Sequence, residues 1–534
     1  MASNEKTRTV RLPNVVEALI PIVVMMGLMI YGLNFTDGTY VDAHMPLAVS
    51  IVVACIIGCM CGHSFSDMLA GMIDRLNATM EAILILCTVG LLVASFLMSG
   101  TIPALIYYGL NLLTPQLFLP VGCFLCAIVG LACGSSWTAT ATMGIAMLGI
   151  GAGLGIPAPI TAGMAISGAY VGDKFSPLSD TTNLAAAVSE TGLFDHVTAM
   201  VSTTAPTFVL ALIAYAILGV VISNGNYDPT VATDIQKVIA SGFNINPFLL
   251  VPILVVIIAC VMKLPGLVGV TISVVTGVLF AVIFQGVGSL ADLFDMLHYG
   301  YGFELEEAQV AAMNLTSYLA PSGEMTNAYE TVSSLLNRGG MDHTMGTVNL
   351  ILLAVAYGGA LERCGCTEAL FGGLKKRINS VGSLILATMA TSLFCDATMC
   401  DQFLGIGVPA PLYVEKYDEL GLGRNMMSRT LEDCGTLWAA MFPWTGCGAY
   451  QQGVFGMSPF TYFPFAFVNL LNPIYAAITA FLGRNIFWAD GSYTNIFGKT
   501  KAGKPAGAPA EAHEKALKNL EARRAAGKAP KINA

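Results

Sequence analysis

Charge is scarce in this chain: Asp, Glu, Lys and Arg make up 11% of its 534 residues, against about 25% in an ordinary soluble domain. A soluble fold cannot cover its surface with so few. Alternating polar and apolar runs are missing too, which excludes a transmembrane β-barrel. The sequence holds no HExxH, no GxSxG and no phosphate-binding glycine loop with its lysine, and Ser135 and Ser136 have no His or Lys at a telling spacing. Enzyme chemistry is therefore not indicated. The fourteen cysteines lack the paired spacing of a disulfide scaffold and read as small core-filling residues. Cys364 and Cys366 have no second ligand pair for zinc.

Apolar residues are abundant, at 55%. Runs of the roughly 20 residues that cross about 30 Å of hydrocarbon as helix recur near 15–33, 45–62, 80–98, 117–132, 202–223, 246–262, 265–285, 347–361, 380–395 and 461–483. Lipid offers no partner for free backbone groups, so these runs must be helices. The first follows Lys6, Arg8 and Arg11, is too long for a signal-peptide core and has no cleavage site after it, so it reads as an uncleaved anchor.

The net charge of −9 is unevenly spread. Basic residues gather in the arm 1–14, at Lys375, Lys376 and Arg377, and in the tail from Lys499 to Lys531. The loop 34–44 has Asp37 and Asp42 but no Lys or Arg. By the positive-inside rule both termini are cytoplasmic and the number of crossings is even. The expected organisation is a cytoplasmic arm 1–14, a transmembrane domain 15–487 with an acidic external loop 286–346, and a basic cytoplasmic tail 488–534. From about 499 onward the tail reads as a solvated appendage whose 511–527 stretch is able to form a short surface helix.

Within the transmembrane domain two halves, 45–225 and 246–485, follow one order. Residues 71–113 run from a charged loop through an apolar span to the amphipathic TIPALIYYGLNLL; residues 337–378 run from NRGGMDHTM through a span to TEALFGGLKKR. The connecting stretch 99–116 is uncharged whereas its counterpart is basic, so one copy reads as inverted. The expected fold is an all-α polytopic membrane protein with two inverted repeats and broken or re-entrant helices, the architecture of secondary transporters.

Polar stretches interrupt both halves: CGSSWTATATMG (Cys133–Gly144) and GDKFSPLSDTTN (Gly172–Asn183), then CDATMCDQFLG (Cys395–Gly405) and RTLEDCGTLWAAMFPWTGCG (Arg429–Gly448). Hydroxyls and carboxylates beside helix-breaking Gly or Pro suit a hard cation, which takes oxygen ligands. Ionisable groups inside spans mark function by default, which singles out Asp173, Asp180, Asp396, Asp401, Glu432 and Asp433, with Ser136 and Thr138 supplying hydroxyls. The competing reading puts these acids in water-filled interfacial loops. It is accepted for Glu415, Asp418 and Glu419, in the hydrophilic VEKYDELGLGRN. Lys174 and Arg429 either pair with a neighbouring carboxylate or snorkel to the interface. His196 reads as a surface histidine.

At these residues the sequence resembles the NhaC family of sodium/proton antiporters. The resemblance is carried by GDKFSPLSDTTNLAAAV with GLFDHVTAM, by SSWTATATMGIA, by NRGGM before a span, and by SRTLEDCGTL with PWTGCGAY, in family order from about 80 to 460. It implies exchange of Na+ for H+ across a bacterial inner membrane, without a cofactor. The site residues it implies are Asp173, Ser176, Ser179, Asp180, Thr181 and Asn183, joined by Glu432 and Asp433. Cys434 stands where the family pattern has Thr, and Asp396 with Met399 departs from a more neutral segment, which leaves selectivity open between sodium and organic acids such as malate or lactate.

The expected mechanism is competition between proton and sodium for one buried carboxylate, Asp173 or Asp180, with Glu432 or Asp433 completing the shell. Asp173, Asp180 and Asp433 would touch the ion in transit. The expected partners are Na+, H+ and lipid; a homodimer is compatible, and nucleic acid is not expected. The closest rival keeps the fold and carries an organic acid or amino acid, recognised through Arg429, Lys174 or Asn183. A channel is disfavoured because the polar clusters of the two halves differ.

Overall fold

The computed structural model describes residues 10–35, 43–226, 229–262, 264–319, 325–373, 378–505, 507–529 and 531. Lys6, Arg8, Asp37, Asp42 and Lys375–Arg377, which carry much of the orientation reading, lie outside the described residues. Among those described, seven helices are long and apolar enough to cross a membrane, and nine if each of two bent pairs counts as one span. Leu193–Asn226 shows the pattern, with Val209, Leu210, Ile213, Ile217, Val220 and Val221 turned outward as lipid would require.

Two long helices make the centre. Phe65–Met98 starts at Ser64, whose hydroxyl and backbone form a capping box with Asp67. It packs along Met341–Cys364. The crossing is close because both sides are glycine: a Cβ at Gly71 would stand 3.1 Å from the Gly359 carbonyl, and one at Gly359 would stand 2.6 Å from the Gly71 carbonyl. These helices lie in the two stretches whose order repeats in the sequence. Each ends the same way, in a left-handed glycine (Gly100, φ 78°; Gly365, φ 77°) followed by a short helix, Thr101–Leu112 or Cys366–Phe371.

A second matched feature is a break between helices. Pro115–Cys133 stops at left-handed Gly134 (φ 61°), and extended Ser135 caps the next helix. Val381–Met399 stops at Cys400, also at φ 61°, and extended Asp401 caps Gln402–Gly407. A cysteine in this backbone region carries a steric cost that glycine does not.

Ala158–Phe175 was not among the expected spans. Its small and polar residues lower its hydropathy, and it is buried almost throughout. The loop 286–346 is built, not loose: it contains Leu290–Tyr299, Glu307–Ala312, the antiparallel strands Ser317–Leu319 and Met325–Asn327, and Ala328–Leu336.

The tail departs from its expectation as a solvated appendage. Strands Ile486–Phe487, Tyr493–Thr494 and Thr500–Lys501 form an antiparallel sheet. Gly423 N–H donates to the Phe487 carbonyl (2.9 Å), and Ala489 N–H donates to that of Gly421 (3.0 Å). Helix Ala510–Ala525 lies on Pro409–Glu419, with Leu520 fully buried against Gly421. Apolar residues spaced four apart, Ala516 and Leu520, give it one buried face beneath its charges.

Candidate functional site

Gly172 delivers Asp173 to the first break. A Cβ at Gly172 would stand 2.2 Å from the Ala127 carbonyl, so Ala158–Phe175 approaches Pro115–Cys133 this closely only because a hydrogen stands in place of a side chain. Asp173, 5% exposed, then faces Ser136 and Ser179. Ser179 caps Asp180–Val188, and its hydroxyl lies 3.0 Å from that of Thr181. These groups open onto a cavity of about 300 Å³ lined by Glu81, Ser135, Ser136, Thr138, Asp173, Ser179, Asp180 and Thr181 from the first half and by Gln402 and Phe403 from the second. None of its described lining residues is Lys, Arg or His.

The cations nearby are already engaged. Lys174 Nζ donates to Asp433 Oδ1 at 2.8 Å, both side chains fully buried. Thr203 (3.1 Å) and Asn472 (2.8 Å) donate to the same oxygen. Arg429 Nε stands 3.5 Å from Asp433 Oδ2, while its Nη1 donates to the Asn485 carbonyl at 2.7 Å and its guanidinium lies over Phe487. Glu432, also fully buried, accepts from Thr436 at 2.8 Å, has an unpartnered Oε1, and counts Lys174 and Asp173 among its charged neighbours.

Several sequence expectations change here. Asp433 is not among the residues that line the cavity: its charge is met by Lys174 and Arg429 in an internal ion pair. Asn183 spends both amide hydrogens on the carbonyls of Pro177 (3.0 Å) and Ser179 (2.8 Å), which closes the loop and does not reach the cavity. Ser176 caps Ala158–Phe175, and its hydroxyl accepts from Leu178 N–H. His196 is fully buried, with Nδ1 2.8 Å from the Ser428 hydroxyl, because Leu193–Asn226 turns that face onto Arg424–Gly435. Asp418, set aside as solvated, is 5% exposed and paired with Arg424 at 3.0 Å. Asp401 spends one oxygen on Phe403 N–H, and Asp396 lies outside the cavity. No group of three or more His, Cys, Asp or Glu side chains that could hold a metal occurs among the described residues.

A model of the Na+/H+ antiporter family matches residues 168–484, which include Asp173, Asp180, Asp396, Asp401, Glu432 and Asp433 but not Glu81. Curated relatives match over nearly the whole chain. The malate-2H+/Na+-lactate antiporter of Bacillus subtilis is 31% identical over 90% of this chain and 97% of its own length. The Na+/H+ antiporter NhaC of Alkalihalophilus pseudofirmus is 32% identical over 87% and 95%. The arginine/ornithine antiporter ArcD of Halobacterium salinarum is 32% identical over 90% and 94%.

The chain belongs to the Na+/H+ antiporter family. It is a polytopic membrane antiporter and not an enzyme. Against that family background, Glu81, Thr203 and Asn472 are the polar groups that sequence reading missed. They lie in the apolar helices Phe65–Met98, Leu193–Asn226 and Phe467–Phe481, each among other polar residues of the same helix. Polar residues within such spans were the available signal.

Proposed function

We propose that this antiporter exchanges Na+ for H+ across a bacterial plasma membrane, with Asp173 as the carboxylate that the two ions occupy in turn. The observation that carries this reading is the cavity wall, which combines Glu81, Asp173 and Asp180 with five hydroxyl side chains and, among the described residues, no basic side chain. Oxygen donors without a competing cation suit a hard monovalent ion. Asp173 binds either the proton or sodium, the hydroxyls of Ser136 and Ser179 supply further oxygens, and Glu432 lies behind them from the second half. Alternating access then turns mutual exclusion into exchange. The matched left-handed breaks and matched helix order support a reading of the two halves as inverted repeats that move against each other around this point.

A relative that carries malate and lactate makes an organic acid the obvious rival. An organic acid would need a free cation on the cavity wall. The structure engages Lys174 and Arg429 elsewhere, which weighs against that cargo. A cationic amino acid is the better second reading, because about 300 Å³ exceeds what a bare ion needs, with a water occupying roughly 30 Å³.

Reconstituted protein, with internal pH followed after an outward or inward sodium gradient is imposed, tests both readings. Sodium should drive proton movement in the wild type and fail to do so in Asp173→Asn. Proton movement driven by arginine or ornithine and not by sodium selects the second reading. Sodium-driven flux that persists in Asp173→Asn sinks the assignment.

A further inference from the structure

Asp396 belongs to neither the cavity nor the Lys174–Asp433 pair. It sits near the end of Val381–Met399, fully buried, and neither carboxyl oxygen has a hydrogen-bond partner among the described residues. Oδ1 is pressed onto the backbone of the next helix: a Cβ at Gly405 would stand 2.0 Å from it. The Gly405 carbonyl accepts from Ser392 at 2.7 Å, and Gly435, from the helix that carries Glu432 and Asp433, packs against the Gly405 backbone, where a Cβ would stand 3.0 Å from its carbonyl. The titratable groups that face Asp396 are Asp401 and the thiols of Cys395, Cys434 and Cys447. Asp401 itself has an unpartnered Oδ2, faces the Arg75–Glu362 ion pair, and precedes Gln402 and Phe403 on the cavity wall.

A bare carboxylate in such a setting loses its solvation with nothing to offset it. Something must neutralise it. Sodium needs several oxygens, and Asp396 has thiols, glycine backbone and one further carboxylate around it, with Oδ1 packed too tightly to admit an ion. A proton needs one oxygen and no room.

We infer that Asp396, with Asp401 beside it on the cavity side, is a second proton-carrying site, distinct from Asp173, which adds a proton to each transport cycle. The inference rests on the exchanger reading above. The proton enters from water at the cavity, adds to a carboxylate oxygen of Asp396 in one orientation of the carrier and leaves as H+ in the other, so no bond other than O–H forms or breaks. The two sites have separate tasks: the Asp173 site exchanges proton for cargo by competition, whereas the Asp396 site carries a proton that the cargo never displaces.

Carbodiimide labelling of the reconstituted full-length protein, mapped by peptide mass spectrometry, reads each carboxyl separately, because the reagent modifies protonated carboxyl groups in apolar surroundings. In acidic buffer both Asp173 and Asp396 should be modified. Excess NaCl should protect Asp173 and leave Asp396 labelling unchanged. Asp396→Asn, reconstituted, should balance an imposed pH gradient at a sodium gradient that corresponds to one proton fewer per cycle. Absence of the Asp396 adduct, equal protection of both residues by sodium, or an unchanged coupling ratio in Asp396→Asn overturns the inference. Sodium failing to protect Asp173 is a different result: it overturns the exchanger reading and the inference with it. The labelling arm uses wild-type protein, so it stands even if the variant does not fold.

Discussion

Lys174 and Asp433 hold each other at 2.8 Å across 259 positions of sequence, with neither side chain exposed. The pair ties the helix that carries Asp173 to the helix that carries Glu432. Lys174→Met or Asp433→Asn alone leaves a buried charge without its partner, and either should cost about 3 to 5 kcal/mol. Thermal melting in detergent should show both single variants strongly destabilised and Lys174→Met/Asp433→Asn less destabilised than the sum. Strict additivity would refute the pairing.

Asn183 separates loop closure from ion handling. Asn183→Ala removes two hydrogen bonds to backbone carbonyls and should lower stability by about 1 to 2 kcal/mol while sodium-driven exchange survives. Complete loss of exchange in a variant that still melts cooperatively would return Asn183 to the binding site.

Leu520 is the apolar anchor of the tail helix, fully buried against Gly421. Leu520→Ala should loosen that contact by about 2 to 5 kcal/mol, and limited proteolysis should then cut between residues 505 and 525. Unchanged cleavage would show that the charged contacts suffice.

The tail should also loosen in acid. Burial raises the carboxyl of Asp490, but Arg524 and Ser492 outweigh it and hold the group below its ordinary value. A carboxylate depressed in the folded state contributes stability above its unfolded value of about 4, and that contribution is lost as the pH falls through the folded value. Hydrogen exchange of residues 486–525 should therefore speed up below that range in the wild type and change less in Asp490→Asn. Equal acid sensitivity of the two proteins would rule out this pair.

The long apolar helices were legible in the sequence because lipid leaves a continuous run of hydrophobic residues no other stable form. Phe65–Met98 and Met341–Cys364 fall where those runs predict, and the polar stretch around Asp173 does line a cavity. Ala158–Phe175 escaped because a helix buried among other helices needs small residues for close approach more than it needs hydropathy, as Gly168 and Gly172 show. The partners of Asp433 escaped differently: Lys174, Thr203 and Asn472 lie hundreds of positions or a whole helix away, and no local spacing announces them. Composition made the tail look free, since its surface is charged; two residues, Ala516 and Leu520, decide that it docks.

The contact between Arg429 and the Asn485 carbonyl spans 56 positions. During biosynthesis the guanidinium is therefore in place before that carbonyl, and until the later segment arrives Arg429 is held, among the described residues, by Asp433 and Ser202 alone.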